Sequence, residues 1–262
     1  MLFAQISDCH ITAPDALAYG RFDNAERLRR TIRVLNALEP RPDLVIASGD
    51  LTQSGMKSEY AVLRGLLDTL EMPVFPCMGN HDARAAFRIA FSQLSQQIDR
   101  PGFIQYVVEG FPLRLIILDT VTGGSDEPAF CEVRLDWLRR ELSRSNEPTV
   151  IVMHHPPFPS GVGWVDAERP GWSAELGSVL RQFSCVRAIV CGHVHRAMHR
   201  VWSGIPVSTA PAVAPQVELR LSPNAAPAFS AESPGFLMHR WDGEELVTCA
   251  ASTDGFSDIV RL

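Results

Sequence analysis

Five short apolar runs in this chain each end in polar residues that are able to bind a metal ion. Short continuous apolar runs are typical of strands that are buried on both faces. Taken singly, each polar ending is also ordinary turn chemistry. Because ligand sites in α/β sheets form beyond the carboxyl ends of strands, we expect the five endings to meet at one place. They are Asp8-x-His10, Gly49-Asp50, Gly79-Asn80-His81-Asp82, His154-His155 and Gly192-His193-x-His195.

The order of the sequence patterns predicts one α/β domain. In the first hundred residues, strand-like runs alternate with helical patterns three times, which indicates parallel strands joined by crossover helices. Asp23 is a candidate N-cap for the first of these helices. Later segments predict a hairpin over 103–118 and antiparallel strands over 199–209 and 236–249. Since no linker separates these patterns, we expect residues 1–262 to form a single domain.

The composition restricts the possible partners. The formal net charge of −6 argues against a nucleic-acid polymer, since polyanion binding requires a basic surface. No segment approaches the ~20 apolar residues of a membrane span, and the N-terminus lacks the basic region of a signal peptide. The six cysteines lie far apart without a CxxC pair, which is typical of reduced thiols that mostly fill the core. We therefore expect a cytoplasmic protein with no membrane partner.

The donor atoms of the five endings indicate two metal ions rather than one. Two carboxylates, one amide oxygen and four imidazoles form a donor set that suits Mn, Fe, Co or Zn. These seven ligands are too many for one tetrahedral ion. They fit two ions that share a bridging carboxylate, about 3.5–4 Å apart as in two-metal hydrolytic sites.

Alternation along an extended chain selects the ligands within two of the endings. Residues i and i+2 of an extended segment point to the same side. Asp8 and His10 are therefore expected to share a face, with Cys9 directed into the core. The same reasoning places His193 and His195 together.

The five motifs also resemble, in their order, those of a known family. They read D-x-H, G-D-x(4)-G from Gly49 to Gly55, G-N-H-D, H-H-P-P and G-H-x-H, and they span residues 8–195. This order closely resembles the calcineurin-like metallophosphoesterases. It looks most like their bacterial branch of class III cyclic-nucleotide phosphodiesterases and related glycerophosphodiesterases. The resemblance implies a four-layer α/β/β/α sandwich of two mixed sheets.

The resemblance also implies which residues hold the metals, which alternation leaves undecided between His154 and His155. The ions implied are Fe²⁺ and/or Mn²⁺, with Zn²⁺ or Co²⁺ as alternatives. On this reading, His155 is structural or lies at the rim of the site. The first metal is assigned to Asp8, His10, Asp50 and His195, and the second to Asp50, Asn80, His154 and His193, with Asp50 as the bridge.

Three residues of the G-N-H-D motif are predicted to act on the substrate or to support its conversion. By resemblance, His81 contacts the phosphate and either stabilises the transition state or protonates the leaving group. Asn80 is predicted to bind substrate as well as metal. Asp82 is expected either to orient His81 or to cap the following helix.

The function that the resemblance implies is hydrolysis of small phosphodiesters, such as 3′,5′-cyclic AMP or glycerophosphodiesters, by attack of a metal-bound hydroxide. One alternative is a phosphomonoesterase or Ser/Thr phosphoprotein phosphatase of the same superfamily. Those usually read G-D-x-V-D-R-G and G-N-H-E, whereas this chain has Gly-Asp-Leu-Thr-Gln-Ser-Gly and Gly-Asn-His-Asp. The arginine that helps to hold a monoester dianion is thus missing. A second alternative, a non-catalytic scaffold on this fold, is disfavoured because every ligand position is filled.

The segments expected to set substrate specificity carry no motif that identifies the substrate. They are the loops 11–22, 120–131, 158–172 and 211–235. From Ala210 onward, the chain loosely resembles the cap and dimerisation region of the glycerophosphodiesterase-like members. Residues 211–262 are therefore predicted to form a C-terminal cap and dimerisation extension in a homodimer or larger homo-oligomer.

Overall fold

The structure of the protein is a computed structural model, which describes residues 1–95, 98, 102–166 and 171–254. Its strands are β1 (Leu2–Ile6), β2 (Leu44–Ser48), β3 (Val74–Cys77), β4 (Tyr106–Val108), β5 (Arg114–Ile117), β6 (Val121–Thr122), β7 (Ser125–Pro128), β8 (Thr149–Val152), β9 (Val186–Cys191), β10 (Met198–Trp202), β11 (Ile205–Thr209), β12 (Gln216–Val217), β13 (Phe229–Ser230), β14 (Gly235–Trp241) and β15 (Leu246–Ser252). Its helices are α1 (Asn24–Ala37), α2 (Lys57–Leu67), α3 (Arg84–Ala90), α4 (Glu132–Ser143) and α5 (Ala174–Leu180), with a 3₁₀ turn at Ser92–Leu94.

Eleven of the strands form two large mixed sheets. In the first sheet the order is β15-β14-β1-β2-β3, with β1, β2 and β3 parallel and the other two strands antiparallel to their neighbours. In the second the order is β10-β11-β9-β8-β5-β4, where the four inner strands are parallel and both edge strands are antiparallel. The prediction of two mixed sheets is confirmed.

Alternate residues of the second sheet pack in opposite directions and so define the layers. On β5, Leu115 and Ile117 belong to the core that contains the first sheet, whereas Ile116 belongs to the core that contains α4 and α5. Successive side chains of a strand point to opposite faces, which explains this division. Helices α1, α2 and α3 share the first core through Leu28, Tyr60 and Phe87. The layers are therefore helices, sheet, sheet and helices, as the family resemblance implies.

The first helix begins where the sequence predicts. The Asp23 carboxylate accepts a hydrogen bond from the Glu26 N–H, which satisfies one of the free donors at the start of α1. Apolar residues at helical spacing (Leu28, Ile32 and Leu35) are buried against the sheet. This helix therefore connects β1 to β2 as a crossover, which places the carboxyl ends of both strands at the same edge.

The C-terminal strands complete the first sheet. β14 lies between β1 and β15, so residues 235–252 of the predicted extension belong to this sheet. Without β14, β1 would be an edge strand of the sheet although most of its side chains are buried. His239 on β14 stacks on Phe3 at 4.5 Å between ring centroids, and its Nε2 lies 3.0 Å from Gln5 Oε1. Gln5 in turn donates to the Cys191 carbonyl, which links the two sheets.

Two short strand pairs lie in segments that were predicted as loops. They are β6–β7 within 120–131 and β12–β13 within 211–235. Residues 167–170 of the predicted loop 158–172 and residues 255–262 of the predicted extension lie outside the described part of the chain. Across the ranges that are described, no helix is both long and apolar enough to cross a membrane.

Candidate metal centre

The predicted ligands leave their strands through a backbone conformation that non-glycine residues rarely adopt. The φ angles are 51° at Asp8, 44° at His10, 47° at Asp50, 73° at His193 and 54° at His195. Positive φ is uncommon for residues with a Cβ atom, and such strain is concentrated at functional sites. The ligand loops therefore lack the extended geometry that alternation assumes, and His193 and His195 fall in different ligand groups. Asp8, His10, His193 and His195 lie beyond the last extended residue of their strands, in left-handed turns.

Backbone hydrogen bonds between loops hold these turns together. The Asp8 N–H donates to the Gly49 carbonyl at 3.0 Å, and the His10 N–H donates to the Asp50 carbonyl at 2.9 Å. The His193 N–H donates to the Asp8 carboxylate at 3.1 Å, which joins the loops of the two sheets. The site is thus built where both sheets end.

Two glycines of the motifs lie where a neighbouring loop leaves no room for a side chain. A Cβ atom on Gly79 would lie 2.2 Å from the Asp50 backbone nitrogen, and one on Gly192 would lie 2.0 Å from Ser7 Oγ. Real Cβ contacts are never this short. The glycine at each position therefore lets one ligand loop touch the next.

The first group of ligands is close enough to share one ion. The Nε2 atoms of His10 and His195 lie 3.1 Å apart. His195 Nε2 is also 3.5 Å from Asp8 Oδ1, and His10 Nε2 is 3.5 Å from Asp50 Oδ2. Ligand atoms of Asp8, His10 and His195 all lie within 4.8 Å of one another. These are the four residues that the resemblance assigns to the first metal.

The second group adjoins the first through Asp50. The Oδ2 atom of Asp50 is 3.3 Å from His154 Nε2, in addition to its contact with His10. His154 also belongs to a ligand group with His155 and His193. The Asn80 Oδ1 atom is buried and has no hydrogen-bond partner, so it can accept a cation. Asp50 has the geometry expected of a bridge.

Backbone carbonyls fix the tautomers of three imidazoles at the site. The Nδ1 atom lies 2.9 Å from the Ser48 carbonyl in His154, 2.7 Å from the Pro215 carbonyl in His195, and 2.8 Å from the Gln53 carbonyl in His81. A carbonyl oxygen only accepts hydrogen bonds, so Nδ1 carries the proton in each neutral ring. Nε2 then presents a lone pair, which is the arrangement that metal-binding histidines require.

Burial shapes the charges of these groups. It lowers the pKa of His10 well below its ordinary value, and together with the neighbouring His154 it lowers the pKa of His193 to about 3. Burial alone would raise the pKa of Asp50, but His154 and His10 outweigh it and lower the pKa well below the usual value. Burial alone would lower the pKa of His154, but Asp50 outweighs it and raises the pKa to about 9, so a metal ion at His154 would take the place of a proton. The residues present therefore fit two metal ions.

Comparison with known proteins agrees with this geometry. A family model described as calcineurin-like phosphoesterase matches residues 1–197. The chain belongs to the calcineurin-like phosphoesterase family. As a member of this family, it is a metal-dependent hydrolase of phosphoric esters.

Curated relatives of this phosphoesterase carry two kinds of name. The chain is 33% identical over 257 residues to a probable glycerophosphodiester phosphodiesterase of Arcobacter nitrofigilis, covering 97% of this chain and 94% of the relative. It is 30% identical over 261 residues to a probable cyclic nucleotide phosphodiesterase of Rhodopseudomonas palustris, with the same coverage of 97% and 94%. It is 27% identical to the 3′,5′-cyclic adenosine monophosphate phosphodiesterase of Escherichia coli, covering 76% and 71%.

Solved structures confirm the phosphoesterase fold. A dimetal phosphatase from Danio rerio superposes with a TM-score of 0.71 at 18% identity, covering 97% of this chain and 96% of that one. A purple acid phosphatase from yellow lupin superposes with a TM-score of 0.68 at 14% identity, covering 97% and 52%. At these identities the similarity concerns the fold alone.

Asp82 of this phosphoesterase takes neither of the two positions expected for it. Its carboxylate is buried and accepts hydrogen bonds from Tyr60 Oη at 2.8 Å and from Thr52 Oγ1 at 3.0 Å. It also accepts from three backbone N–H groups, those of Leu51, Thr52 and Gly79. None of these five donors belongs to His81 or to α3, whose N-cap residue is Ala83. Asp82 therefore ties the β2 loop to the β3 loop and positions Asp50 and Asn80 indirectly.

The three histidines outside the predicted site residues differ in their surroundings. His155 is buried, and its Nδ1 lies 2.7 Å from Thr120 Oγ1. Its ring also belongs to a group with His154 and His193 that could hold a metal ion, so its structural role stays a prediction. His199 and His239 lie on β10 and β14 as expected of strand residues. His239 is fully buried and hydrogen-bonded, which its position in the sequence does not indicate.

Six further side chains line the cavity above the ligands and carry no motif. The cavity measures about 320 Å³ and contains His10, Asp50, Asn80, His81, His193 and His195 in its wall. The lining is completed by Tyr19, Asp126, Trp164, Val165, Val217 and Phe229. Each comes from one of the four loops in which specificity was expected. The loops that reach the cavity could be predicted from the sequence. The individual residues of each loop that reach it could not.

Proposed function

We propose that this phosphoric diester hydrolase cleaves small phosphodiesters, namely 3′,5′-cyclic nucleotides or glycerophosphodiesters, with two divalent metal ions. The observation that carries the proposal is the convergence of the Asp8, His10 and His195 group with the His154 and His193 group around Asp50. The names of the curated relatives support the two substrate types.

The proposed ligands are those of the family resemblance. Asp8, His10, Asp50 and His195 would hold one ion, and Asp50, Asn80, His154 and His193 would hold the other. Bound ions would polarise the phosphate oxygens and lower the pKa of water at the site. Asn80 contributes a neutral oxygen, so it leaves more positive charge for the substrate than a carboxylate would. Fe²⁺ or Mn²⁺ suits this mixed donor set, as do Zn²⁺ and Co²⁺.

His81 is the proposed catalytic residue. Its Nδ1 is held by the Gln53 carbonyl and its backbone N–H donates to Asp50 Oδ1 at 2.9 Å, so the ring is fixed relative to the bridge. Nε2 is the nitrogen left to contact a phosphate oxygen or the departing alcohol. Asp82 supports this arrangement through the loops and does not touch the reacting atoms.

A diester is favoured over a monoester by the charge of the cavity. Among the described residues that line it, none is a lysine or an arginine. A monoester dianion usually needs such a group, whereas a diester carries a single negative charge that two ions can neutralise.

Reconstitution with defined metals tests the proposal. Metal-free protein is loaded with Mn²⁺ or Fe²⁺ and assayed with bis(p-nitrophenyl) phosphate and with p-nitrophenyl phosphate, and Asp50→Ala serves as the inactive control. We expect the diester to be cleaved faster than the monoester. Cleavage of the monoester alone would favour a phosphomonoesterase. No cleavage of either ester with any of Mn²⁺, Fe²⁺, Zn²⁺ and Co²⁺ would refute the proposed activity.

We further propose a cytoplasmic homodimer or larger homo-oligomer, assembled through residues 211–234. Leu219 and Leu221 in this segment are 65% and 64% exposed, which is unusual for large apolar side chains in one short stretch. They line a second cavity, of about 980 Å³, that lies away from the metal ligands beside β10 and β15. Light scattering at micromolar concentration tests this assembly, and a monomeric mass would contradict it.

A further inference from the structure

The Gln5 side chain joins the ends of two strands that lead into ligand loops. Gln5 lies on β1 and is fully buried. Its Nε2 donates one hydrogen bond to Ser48 Oγ and one to the Cys191 carbonyl, both at 2.8 Å. Ser48 is the last residue of β2 in the first sheet, and Cys191 is the last residue of β9 in the second. One amide group therefore connects the two sheets at the edge where the ligand loops begin.

The partners of the Gln5 amide determine its orientation. A backbone carbonyl only accepts hydrogen bonds, so the amide NH₂ group must face Cys191. The amide oxygen Oε1 then faces His239 Nε2 at 3.0 Å, and this nitrogen carries the ring proton. His239 is neutral at pH 7, because burial lowers its pKa to about 3, and its Nδ1 accepts from Thr248 Oγ1 at 2.9 Å. Each donor from Thr248 to Gln5 therefore has a defined acceptor.

Ser48 connects Gln5 to His154. The Ser48 carbonyl accepts a hydrogen bond from His154 Nδ1 at 2.9 Å, and His154 Nε2 lies 3.3 Å from Asp50 Oδ2. The Ser48 hydroxyl is the group that Gln5 binds, and Asp50 follows two residues later in the chain. The bond from Gln5 therefore restrains the residue that orients His154.

Cys191 makes the corresponding connection to His193. Gly192 follows Cys191, and its N–H donates to the His154 carbonyl at 2.9 Å. His193 comes next and has a φ of 73°. A residue with a Cβ atom keeps such a conformation only where its surroundings hold it. The bond from Gln5 to the Cys191 carbonyl is one of the contacts that hold the start of this turn.

The two ligands next to this connection are both assigned to the second ion. They are His154 and His193, which lie in one group of possible metal ligands. His195 of the first group is oriented instead by the Pro215 carbonyl, which lies 2.7 Å from its Nδ1. The contacts of Gln5 therefore affect the second group of ligands more directly than the first.

We propose that Gln5 is a positioning residue that sets the spacing of His154 and His193 and thereby the affinity for the second metal ion. The inference rests on the proposed two-metal function and adds a residue that touches neither the metals nor the substrate. Removal of a partner that holds a ligand in place typically weakens metal binding by about 10- to 100-fold. Gln5 lies one contact further from the ligands, so we expect an effect at the lower end of this range.

Titration of the metal-free protein with Mn²⁺ tests the proposal, because the EPR signal of free Mn²⁺ shows how much is bound. Gln5→Met keeps the length of the side chain and removes both donors. We expect the wild type to bind two ions, and the variant to bind one of them as before and the other about tenfold more weakly. The matched control Leu142→Ala, at a buried position of α4 in the second core, is expected to keep both affinities. Equal weakening of both ions by Gln5→Met would indicate a general structural role and overturn the proposal.

Removal of a proposed ligand identifies the position that Gln5 affects. His193→Ala keeps the first group of ligands, and adding Gln5→Met to it is expected to change the affinity of the remaining ion by less than about twofold. A larger further loss would place the effect at the first group and overturn the proposal. If Gln5→Met does not fold, Ser48→Ala provides the same comparison, since it removes one partner of the amide and keeps the Ser48 carbonyl. About threefold weaker binding of the second ion is then expected, and unchanged binding overturns the proposal.

The titration also separates this inference from the proposed function. If the wild type and Gln5→Met bind two ions with the same affinities, the role of Gln5 is overturned and the two-metal diesterase stands. A wild type that binds fewer than two ions overturns both.

Discussion

The Nδ1 atom of His81 lies 2.8 Å from the backbone carbonyl oxygen of Gln53. This contact orients the imidazole without using any of the predicted metal ligands. In the proposed assignment, the roles of holding metal and of acting on the substrate are carried by neighbouring residues of one turn, Asn80 and His81.

Replacement of His81 is expected to affect turnover and not metal binding. His81→Ala removes a general acid or phosphate contact, so kcat for bis(p-nitrophenyl) phosphate is expected to fall by about 10²- to 10⁴-fold. Metal content measured by mass spectrometry is expected to equal that of the wild type, because Asn80 and Asp50 are unchanged. Loss of one metal equivalent from His81→Ala would show that this histidine is a ligand.

The hydrogen bonds to Asp82 are expected to contribute strongly to stability. Asp82→Ala leaves buried N–H groups unpaired and is expected to lower the free energy of unfolding by about 3 kcal/mol or more. Tyr60→Phe removes one donor and is expected to cost about 1 kcal/mol. Urea denaturation of the metal-free protein measures both. The exposed Asp68 at the end of α2 is the matched control, and Asp68→Ala is expected to change stability by under about 0.5 kcal/mol. Equal effects of the two Asp→Ala changes would contradict the assignment.

Ser7 and Asp8 lie so close to Gly192 that we expect a side chain there to disturb the site. Gly192→Ala would force a methyl group into Ser7 Oγ and Asp8 Oδ2, so we expect loss of metal and a destabilisation of about 1–3 kcal/mol. Gly65 in α2 has open space around its Cβ position. Gly65→Ala is therefore expected to stabilise the protein by about 0.5–1 kcal/mol. Thermal unfolding of the two variants shows whether each substitution stabilises or destabilises the protein. Metal analysis shows whether the metal is lost.

His239 is expected to make the protein less stable in acid. Burial lowers the pKa of His239 to about 3, below the ordinary value near 6.5 in the unfolded chain. Between these values the unfolded state binds more protons, so stability falls as the pH decreases from 6.5 towards 3. In metal-free protein, we expect His239→Gln to weaken this dependence by up to about 1.4 kcal/mol per pH unit.

A variant His239→Gln with the same acid sensitivity as the wild type would show that His239 does not contribute to it. Urea denaturation at pH 7.5, 6 and 5 provides the comparison.

The sequence predicted the ligand loops because polar endings of buried strands carry a strong local signal. The sheet edge that they share follows from parallel strands and crossover helices. The left-handed backbone at Asp8 and His195 was not predictable, since Asp and His adopt a positive φ more often than most residues but still only rarely. The roles of the imidazole nitrogens of His154 and His195 could not be predicted either. The carbonyls that determine them, those of Ser48 and Pro215, lie far away in sequence.

Long-range pairing limited the prediction of the C-terminal part. Antiparallel strands were predicted over 236–249, but a strand pattern does not state which neighbour a strand pairs with. Phe229 and Trp164 were placed in the right loops without any indication that their rings meet. Such contacts depend on how separate loops pack against each other, and the hydrophobic pattern of the sequence carries no information on this.

The position of β1 between β2 and β14 has a consequence for synthesis on the ribosome. Every proposed ligand has been translated once His195 has been added, but β14 follows only with residues 235–241. Until then, β1 presents a row of unpaired backbone groups along one side. A chain that terminates between these points carries the whole ligand set together with an open sheet edge, which is a template for pairing with another chain. Premature termination in this interval therefore leaves exposed a sheet edge that β14 covers in the full chain.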